Sequence, residues 1–497
     1  MGTKRLSSVA GNIRKMAGNT MVYGLGNILN RTLTFLLLPL YINVMTPSEY
    51  GALNLIYPFL ALMNVVYMYG LDAGFMRFFI PEKETGRRRE IFSVVYISIL
   101  FSTMVITALL FMFETSLSSL ILGDDPAAGL FALAFIILAV DGLAFMPVLY
   151  YRSIQKPVRY VSIIFSEVLV NLSLNVLFVG FWGWGLKGVL IANIFSSSIK
   201  LLFAFPSVLQ NFSLQWNIKL WKDILRFGLP TVPAVLFAMV VALGDRFMIK
   251  YFLGQEVVGI YSAGYKIGVV MALVVTAFRF AWHPFFLSIS DQKNAKETFA
   301  RILTLYLIIG SFIFLLVSLL APPVLTYSFN GMAIITPAFA DGLRIVPYIL
   351  LAYLFQGVYV NLVVGMYIKK KTYLSPLFTG AGMIINLTTN ILLLGYFNYD
   401  FTAAGIAAIL SYVGQSLLLY LVSRRFYTID YELGKIVRLA ILVAVLFLTP
   451  QVLEQDTRLL VSLVMVVAFF PALSLAGVMT TTEIRSAATQ LLNRRSD

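Results

Sequence analysis

NLSLNVLFVG (residues 171–180) and NLTTNILLLG (residues 386–395) are one stretch written twice. They align without a gap, Asn171 on Asn386, Asn175 on Asn390 and Gly180 on Gly395, at an offset of 386 − 171 = 215. Further out, MTPSEYG, ending at Gly51, matches FLGQEVVG, ending at Gly259, at an offset of 259 − 51 = 208. Two similar offsets at distant places mean that one half of the chain repeats the other. Each asparagine stretch lies in a long apolar run entered from a basic loop. Arg152, Lys156 and Arg159 precede the first; Lys369, Lys370 and Lys371 precede the second.

What kind of protein carries the repeat follows from composition. Of 497 residues, 60% are hydrophobic and 12% charged, more apolar surface than soluble domains of this length can bury. Apolar runs of roughly twenty residues or more recur throughout, the signature of membrane-spanning helices. Fourteen spans are expected, near 17–45, 51–80, 91–113, 128–150, 160–182, 187–206, 224–252, 256–288, 299–321, 341–367, 374–396, 402–422, 436–450 and 457–478. They are referred to below as spans 1 to 14. The fold class expected is therefore an all-α membrane protein.

Charge gives the orientation. The formal net charge is +14, which in a soluble protein would suggest a nucleic-acid partner. Here the lysines and arginines fall in alternate short loops. Lys83 and Arg87–Arg89, Lys219 with Lys222 and Arg226, Lys293 with Lys296, and Arg424 with Arg425 mark basic loops, whereas 45–51 and 396–405 are poor in them. Lys187 and Arg458 are the exceptions. Membrane topology explains this pattern and no nucleic acid is expected; the positive-inside rule puts the basic loops and both termini in the cytoplasm. The basic N-terminus (Lys4, Arg5, Arg14, Lys15) runs into a helix too long for a signal peptide and is expected to be retained.

Six spans separate equivalent positions, and six is even, so both copies share one orientation. Two six-helix lobes related by a pseudo-twofold axis along the membrane normal are expected: 1–210 (spans 1–6) and 211–425 (spans 7–12). Residues 426–497, with spans 13 and 14 and a cytoplasmic tail, lie outside the repeat. No loop is long enough for a soluble catalytic domain. There is no cysteine, and His283 is the single histidine, so thiol chemistry and multi-histidine metal sites are excluded and no metal or organic cofactor is expected. No GxxxxGK[ST] loop is present, which argues against nucleotide hydrolysis. Asp124–Asp125 reads as a solvated turn.

Ionisable residues inside spans cost roughly 2.5–3.5 kcal/mol each on insertion scales, so they face cavities or partners. Span 1 carries Arg31; span 2, Asp72 and Arg77; span 7, Asp245, Arg246 and Lys250; span 8, Lys266, Arg279 and His283. Spans 4, 5 and 10 add Asp141, Glu167 and Arg344. The cations concentrate on the first two spans of each lobe, where lobe faces would meet. Arg31, Arg77, Arg246, Lys266 and Arg279 are the candidates for binding an anionic head group, because guanidinium matches phosphate oxygens bidentately. A structural reading stands beside it. Arg77 and Lys250 would snorkel to the interface, and Asp245 and Arg246 would pair between helices.

Lys266 and Arg279 are thirteen residues apart, on roughly opposite faces of a straight helix, so they share a cavity only if span 8 bends. Asp72, Asp245 and His283 are the candidates for gating or coupling. Aligning Phe78–Phe79 with Phe285–Phe286 sets Asp72 opposite Arg279, an expected inter-lobe pair. His283 lies one turn after Arg279, but it precedes Pro284 and would equally mark the end of the regular helix. The amide pairs Asn171/Asn175 and Asn386/Asn390 are expected to hydrogen-bond between helices rather than to contact sugar.

DRFMIKYFLGQEVVGIYSAGYKIG (245–268) resembles the start of the second lobe in polysaccharide transporters, the O-antigen and exopolysaccharide repeat-unit flippases of the multidrug/oligosaccharidyl-lipid/polysaccharide (MOP) superfamily. Tyr50–Gly51 and Gly70, Ala73, Arg77 and Phe78 resemble its first lobe, and the resemblance covers roughly 10–425. It implies a non-enzymatic flippase. Such a protein moves an undecaprenyl-diphosphate-linked oligosaccharide from the inner to the outer leaflet of a bacterial inner membrane, by alternating access driven by an ion gradient, H+ or Na+. Arg31, Arg77 and Arg279 are then the diphosphate candidates. Membrane lipid, a polysaccharide polymerase and a chain-length regulator are the implied partners. The rivals are an ion-coupled multidrug or organic-cation antiporter, which needs an acidic cavity, and a polymerase or ligase, which needs a large outer loop.

Overall fold

The computed structural model describes residues 35–123, 129–329, 332–453 and 455–479. Among these, 13 helices are long and apolar enough to cross a membrane, from Pro47–Met68 to Thr457–Leu475. Each overlaps one of spans 2 to 14, but where a span is broken the unbroken helix is shorter than expected: Pro47–Met68 stops before 80, Ile218–Leu243 before 252, and Val270–Ile289 starts after 256. Span 1 is represented by Leu38–Val44. Arg31, Asp124–Asp125 and the charged residues of both termini lie outside the described residues. The one strand pairing among them is a two-residue ladder, Ser328–Phe329 with Met332–Ala333.

The duplication is visible in the backbone. Each asparagine stretch ends in a six-residue π-helix, Val176–Phe181 and Ile391–Tyr396, at the same offset (391 − 176 = 215). The backbone bond from Trp182 N to Leu177 O recurs as Phe397 N to Leu392 O. That from Trp184 N to Phe178 O recurs as Tyr399 N to Leu393 O. π-Helices are rare, so two at matched positions are a strong sign of common origin.

Several spans are broken. Span 2 starts on a capping box: Thr46 Oγ1 accepts from Glu49 N (3.2 Å), and Glu49 Oε2 accepts from Thr46 N (3.0 Å), with Pro47 in the first turn. It stops at Tyr69 (φ 30°) and Gly70 (φ 84°), both left-handed, and restarts as Leu71–Phe79. Span 7 runs Ile218–Gly228, tightens over Leu229–Thr231 at Pro230, and resumes as Val232–Leu243 and Asp245–Leu253. Span 8 is interrupted at Val269, between Lys266 and Arg279. Its second part continues through Pro284 to Ile289, so His283 does not end the helix. A membrane helix tolerates such a proline because neighbouring turns and helices re-satisfy the freed carbonyl.

The chain packs as two compact units. The first holds the described residues up to Ala263 with Asn390–Phe401; the second holds Gly264–Thr389 and the described residues from Thr402. This division follows packing, whereas the lobes expected above follow the repeat. In the first unit, spans 4, 5 and 6 pack on one another and span 4 also meets span 3. Lipid gives little hydrophobic reason for helices to associate, so close approach at small residues matters more. Gly142, for instance, brings span 4 against Thr103 and Tyr67.

The second unit is built around spans 9, 10 and 12. Tyr306 OH donates to Leu354 O (3.1 Å). Spans 13 and 14 lie on span 9 through Phe314–Phe447 and Phe312–Phe470 ring contacts at 5.1 and 5.0 Å. Large apolar side chains such as Phe101, Leu120 and Leu460 face outward, as lipid-facing positions require.

Candidate functional site

A cavity of about 470 Å³ opens within the first unit, walled by spans 2, 4, 5, 6 and 7. Its charged lining consists of Asp72, Asp141, Arg152, Glu167 and Lys200, three carboxylates against two cations. Lys200 is the centre of the arrangement. It lies in the helix Gly185–Asn211, roughly 20 Å from one end and 15 Å from the other at 1.5 Å per residue. Its Nζ donates to Asp141 Oδ1 of span 4 and Glu167 Oε1 of span 5, each at 2.7 Å. Ser197 Oγ donates to the same Asp141 oxygen at 2.8 Å. With all three groups ionised, the formal charges of the trio sum to −1.

A polar ladder continues from the trio along the helices. Asn193 Nδ2 donates to Tyr57 OH (3.1 Å), and Asn171 Nδ2 donates to Ser196 Oγ (3.1 Å). Asn175 is fully buried; its Nδ2 donates to Asn171 O (2.8 Å) and its Oδ1 accepts from Tyr41 OH (2.8 Å). The amide pair of the repeat thus bonds between helices, and it leads toward the charged trio. Lys200 was not singled out from the sequence, although it is an ionisable residue inside an apolar run. The signal available was the presence of Asp141 and Glu167 in the two preceding spans.

The other predicted residues are distributed as follows. Asp72 lines the cavity beside Gly70. Arg77 is exposed at the end of Leu71–Phe79, its guanidinium 5.8 Å from the Phe227 ring centre. Asp245 and Arg246 are buried (3% and 6% exposed) and paired, Arg246 Nη1 to Asp245 Oδ1 at 2.8 Å. Tyr261 OH donates to the other Asp245 oxygen, and Arg246 stacks over the Tyr261 ring. The motif that carried the resemblance thus fastens the end of span 7 to the start of span 8, and the Arg246 charge is balanced inside that clasp.

Lys266, Arg279 and His283 belong to the second unit. Lys266 is half-buried and Arg279 exposed. The His283 ring lies 5.3 Å from Tyr367 and 5.7 Å from Phe286. Among the described residues, no group of three or more histidine, aspartate or glutamate side chains is placed to hold a metal ion.

Residues 16–290 match the family described as "Polysaccharide biosynthesis protein". Among solved structures, the lipid II flippase MurJ in an inward closed conformation is similar with a TM-score of 0.71 at 13% identity, covering 92% of this chain and 97% of that one. A multidrug resistance MATE family transporter of the MOP superfamily is similar in its inward-facing conformation (TM-score 0.65, 16% identity, 80% of this chain and 94% of that one). An outward-facing conformation of such a transporter gives a TM-score of 0.57 at 14% identity, with 83% and 94% covered. No curated protein matches the sequence. At these identities the likeness is one of fold, the all-helical architecture of MOP-superfamily transporters.

Proposed function

This chain belongs to the polysaccharide biosynthesis protein family, and from that premise we propose that it flips undecaprenyl-diphosphate-linked oligosaccharide repeat units across the bacterial inner membrane by alternating access. The product would feed cell-surface polysaccharide assembly, of O-antigen, capsule or exopolysaccharide, beside a polymerase and a chain-length regulator. The observation that carries the proposal is a polar, charged cavity walled by five spans inside an all-helical transporter fold. Hydroxyl, amide and carboxylate groups on its wall and along the adjoining ladder suit a sugar, whose hydroxyls both donate and accept. The polyprenyl tail would stay in lipid.

Arg31, Arg77 and Arg279 are the proposed diphosphate ligands. Arg246 ranks below them because Asp245 already balances it, and Lys266 is secondary. A proton or sodium ion is the proposed driver, and the net negative Asp141–Lys200–Glu167 trio is the place where either would act. The second reading is an organic-cation antiporter. Three carboxylates on the cavity favour it; the Lys200 ammonium, already seated between two of them, stands against it.

The test is translocation of lipid-linked oligosaccharide in proteoliposomes, comparing wild type with Arg31→Ala and Arg279→Ala. Movement that both substitutions abolish in folded protein supports the flippase. A wild type that moves no lipid-linked sugar, yet expels small organic cations down a proton or sodium gradient, establishes the second reading.

A further inference from the structure

The repeat carries one buried cluster twice. An offset of 215 takes Val148, Tyr151, Ile163 and Ala204, at the basic-loop end of spans 4 to 6, residue by residue onto Val363, Met366, Phe378 and Leu419, at the same end of spans 10 to 12. The faces above the two clusters differ. In the second half the face is covered. Leu374 and Leu418 pack on the cluster, and so does Tyr431 from beyond the repeat. Lys371 Nζ lies 4.2 Å from the centre of the Phe426 ring.

In the first half the equivalent face is an open cleft of about 780 Å³, lined among others by Lys156, Arg159, Ser162, Ile163 and Phe203. Two exchanges account for it. At the same offset, Arg159 stands where the second half has Leu374, and Ser162 stands where it has Leu377. Lys156 is the counterpart of Lys371 but is exposed.

The cleft has a charged mouth and an apolar floor. Among its described lining residues there are two cations and no carboxylate. The Arg159 guanidinium is held 5.6 Å from the Tyr151 ring, a stacking that leaves its N–H edges for oxygen acceptors. One turn further along, Ser162 Oγ donates to Val158 O (2.8 Å), so its polarity is satisfied within the helix. Ile163 is buried in the floor, and Phe203 beside it is 45% exposed. On the opposite side of the same helix, Tyr160, Ile164 and Glu167 line the charged cavity. A basic pocket between membrane helices, opening on apolar surface, matches a phosphate head group that carries acyl chains.

We propose that this cleft binds an anionic phospholipid of the surrounding bilayer. Its phosphate lies on Lys156 and Arg159 and an acyl chain runs along Ile163 and Phe203. The lipid covers in the first half the face that the chain's own Phe426 and Tyr431 cover in the second.

The test uses the full-length protein in detergent, titrated with phosphatidylglycerol or zwitterionic phosphatidylcholine bearing a photoreactive acyl chain. Cross-linked lipid is mapped to peptides. Phosphatidylglycerol should mark the peptides that hold Ile163 and Phe203, and phosphatidylcholine should not. Lys156→Gln and Arg159→Gln should each weaken the apparent affinity about fivefold, and together about thirtyfold. Ser162→Leu installs the residue of the other half and keeps both charges; it should weaken binding as far as the double variant does. All three positions are exposed, so these substitutions leave the packing intact. Equal marking by the two lipids overturns the proposal. So does phosphatidylglycerol marking that Ser162→Leu leaves unchanged, which would mean diffuse attraction to charge. Displacement of phosphatidylglycerol by equimolar undecaprenyl diphosphate also overturns it and makes the cleft a landing place for that lipid. No transport is measured, so the outcome is independent of the flippase reading.

Discussion

Lys200→Met would remove the one cation that holds Asp141 and Glu167 together while keeping a stem of similar shape. Two bonds of 2.7 Å to the same Nζ place the carboxylate oxygens at most 2.7 + 2.7 = 5.4 Å apart. At an effective dielectric of about 20, two negative charges at that separation repel by about 3 kcal/mol. Deleting one partner of a buried ion pair generally costs about 3–5 kcal/mol. The three side chains keep 15–22% exposure toward the cavity, so water holds the cost near the lower figure. Glu167→Gln alone leaves the Lys200–Asp141 pair intact and should cost little. Adding Glu167→Gln to Lys200→Met removes the repulsion and should recover about 3 kcal/mol, a coupling that a double-mutant cycle detects. The assay is unfolding in detergent of wild type, both single variants and the double variant. The expected order of stability is wild type, Glu167→Gln, the double variant, then Lys200→Met. A double variant no more stable than Lys200→Met would refute the electrostatic argument.

Arg246→Ala should behave as a stability variant, losing about 3–5 kcal/mol because Asp245 is left buried with the Tyr261 hydroxyl; Arg77→Ala, exposed, should change unfolding by under about 0.5 kcal/mol while lowering translocation. Tyr41→Phe removes the donor to Asn175 Oδ1 and should cost about 1–3 kcal/mol in the same unfolding assay. At Glu432, burial pushes the carboxyl up, but hydrogen bonds from Lys435 Nζ and Thr304 Oγ1, both 2.6 Å, outweigh it and hold the group below its ordinary 4.5. A depressed acid stabilises fully above its unfolded value and less as pH falls through the folded one, so Glu432→Gln should flatten the loss of stability below about pH 4.5. The side chain keeps 27% exposure, so solvent screening should hold the effect under about 1 kcal/mol.

The repeat and the spans were legible because membrane depth fixes helix length and loop charge fixes parity. Pro157–Phe181 and Thr402–Ser423, expected at 160–182 and 402–422, show how closely. The break at Tyr69–Gly70 was not legible, since no proline marks it inside one expected span; at Gly228 the charged stretch before it reads as loop, whereas it forms the helix Ile218–Gly228. The site was harder to read. Asp141, Glu167 and Lys200 are each a single charge in a separate apolar run, 59 and 33 residues from Lys200, and only packing brings them within one hydrogen-bond length. The Asp245–Arg246–Tyr261 motif was legible as a family mark, yet its local role as a buried clasp comes from burial, which composition does not report.

The paired π-helices also date the protein. A wide turn enters a helix when one residue is inserted and the backbone absorbs it locally instead of turning every later side chain about 100° around the axis. The same swelling after Asn175 and after Asn390 is what one such insertion in an ancestor half this size would leave. Duplication would then have copied it. The two halves have since exchanged most of their side chains, but neither has lost the extra residue, whose removal would swing the Trp182–Trp184 and Phe397–Tyr399 corners off their bonds to Leu177, Phe178, Leu392 and Leu393.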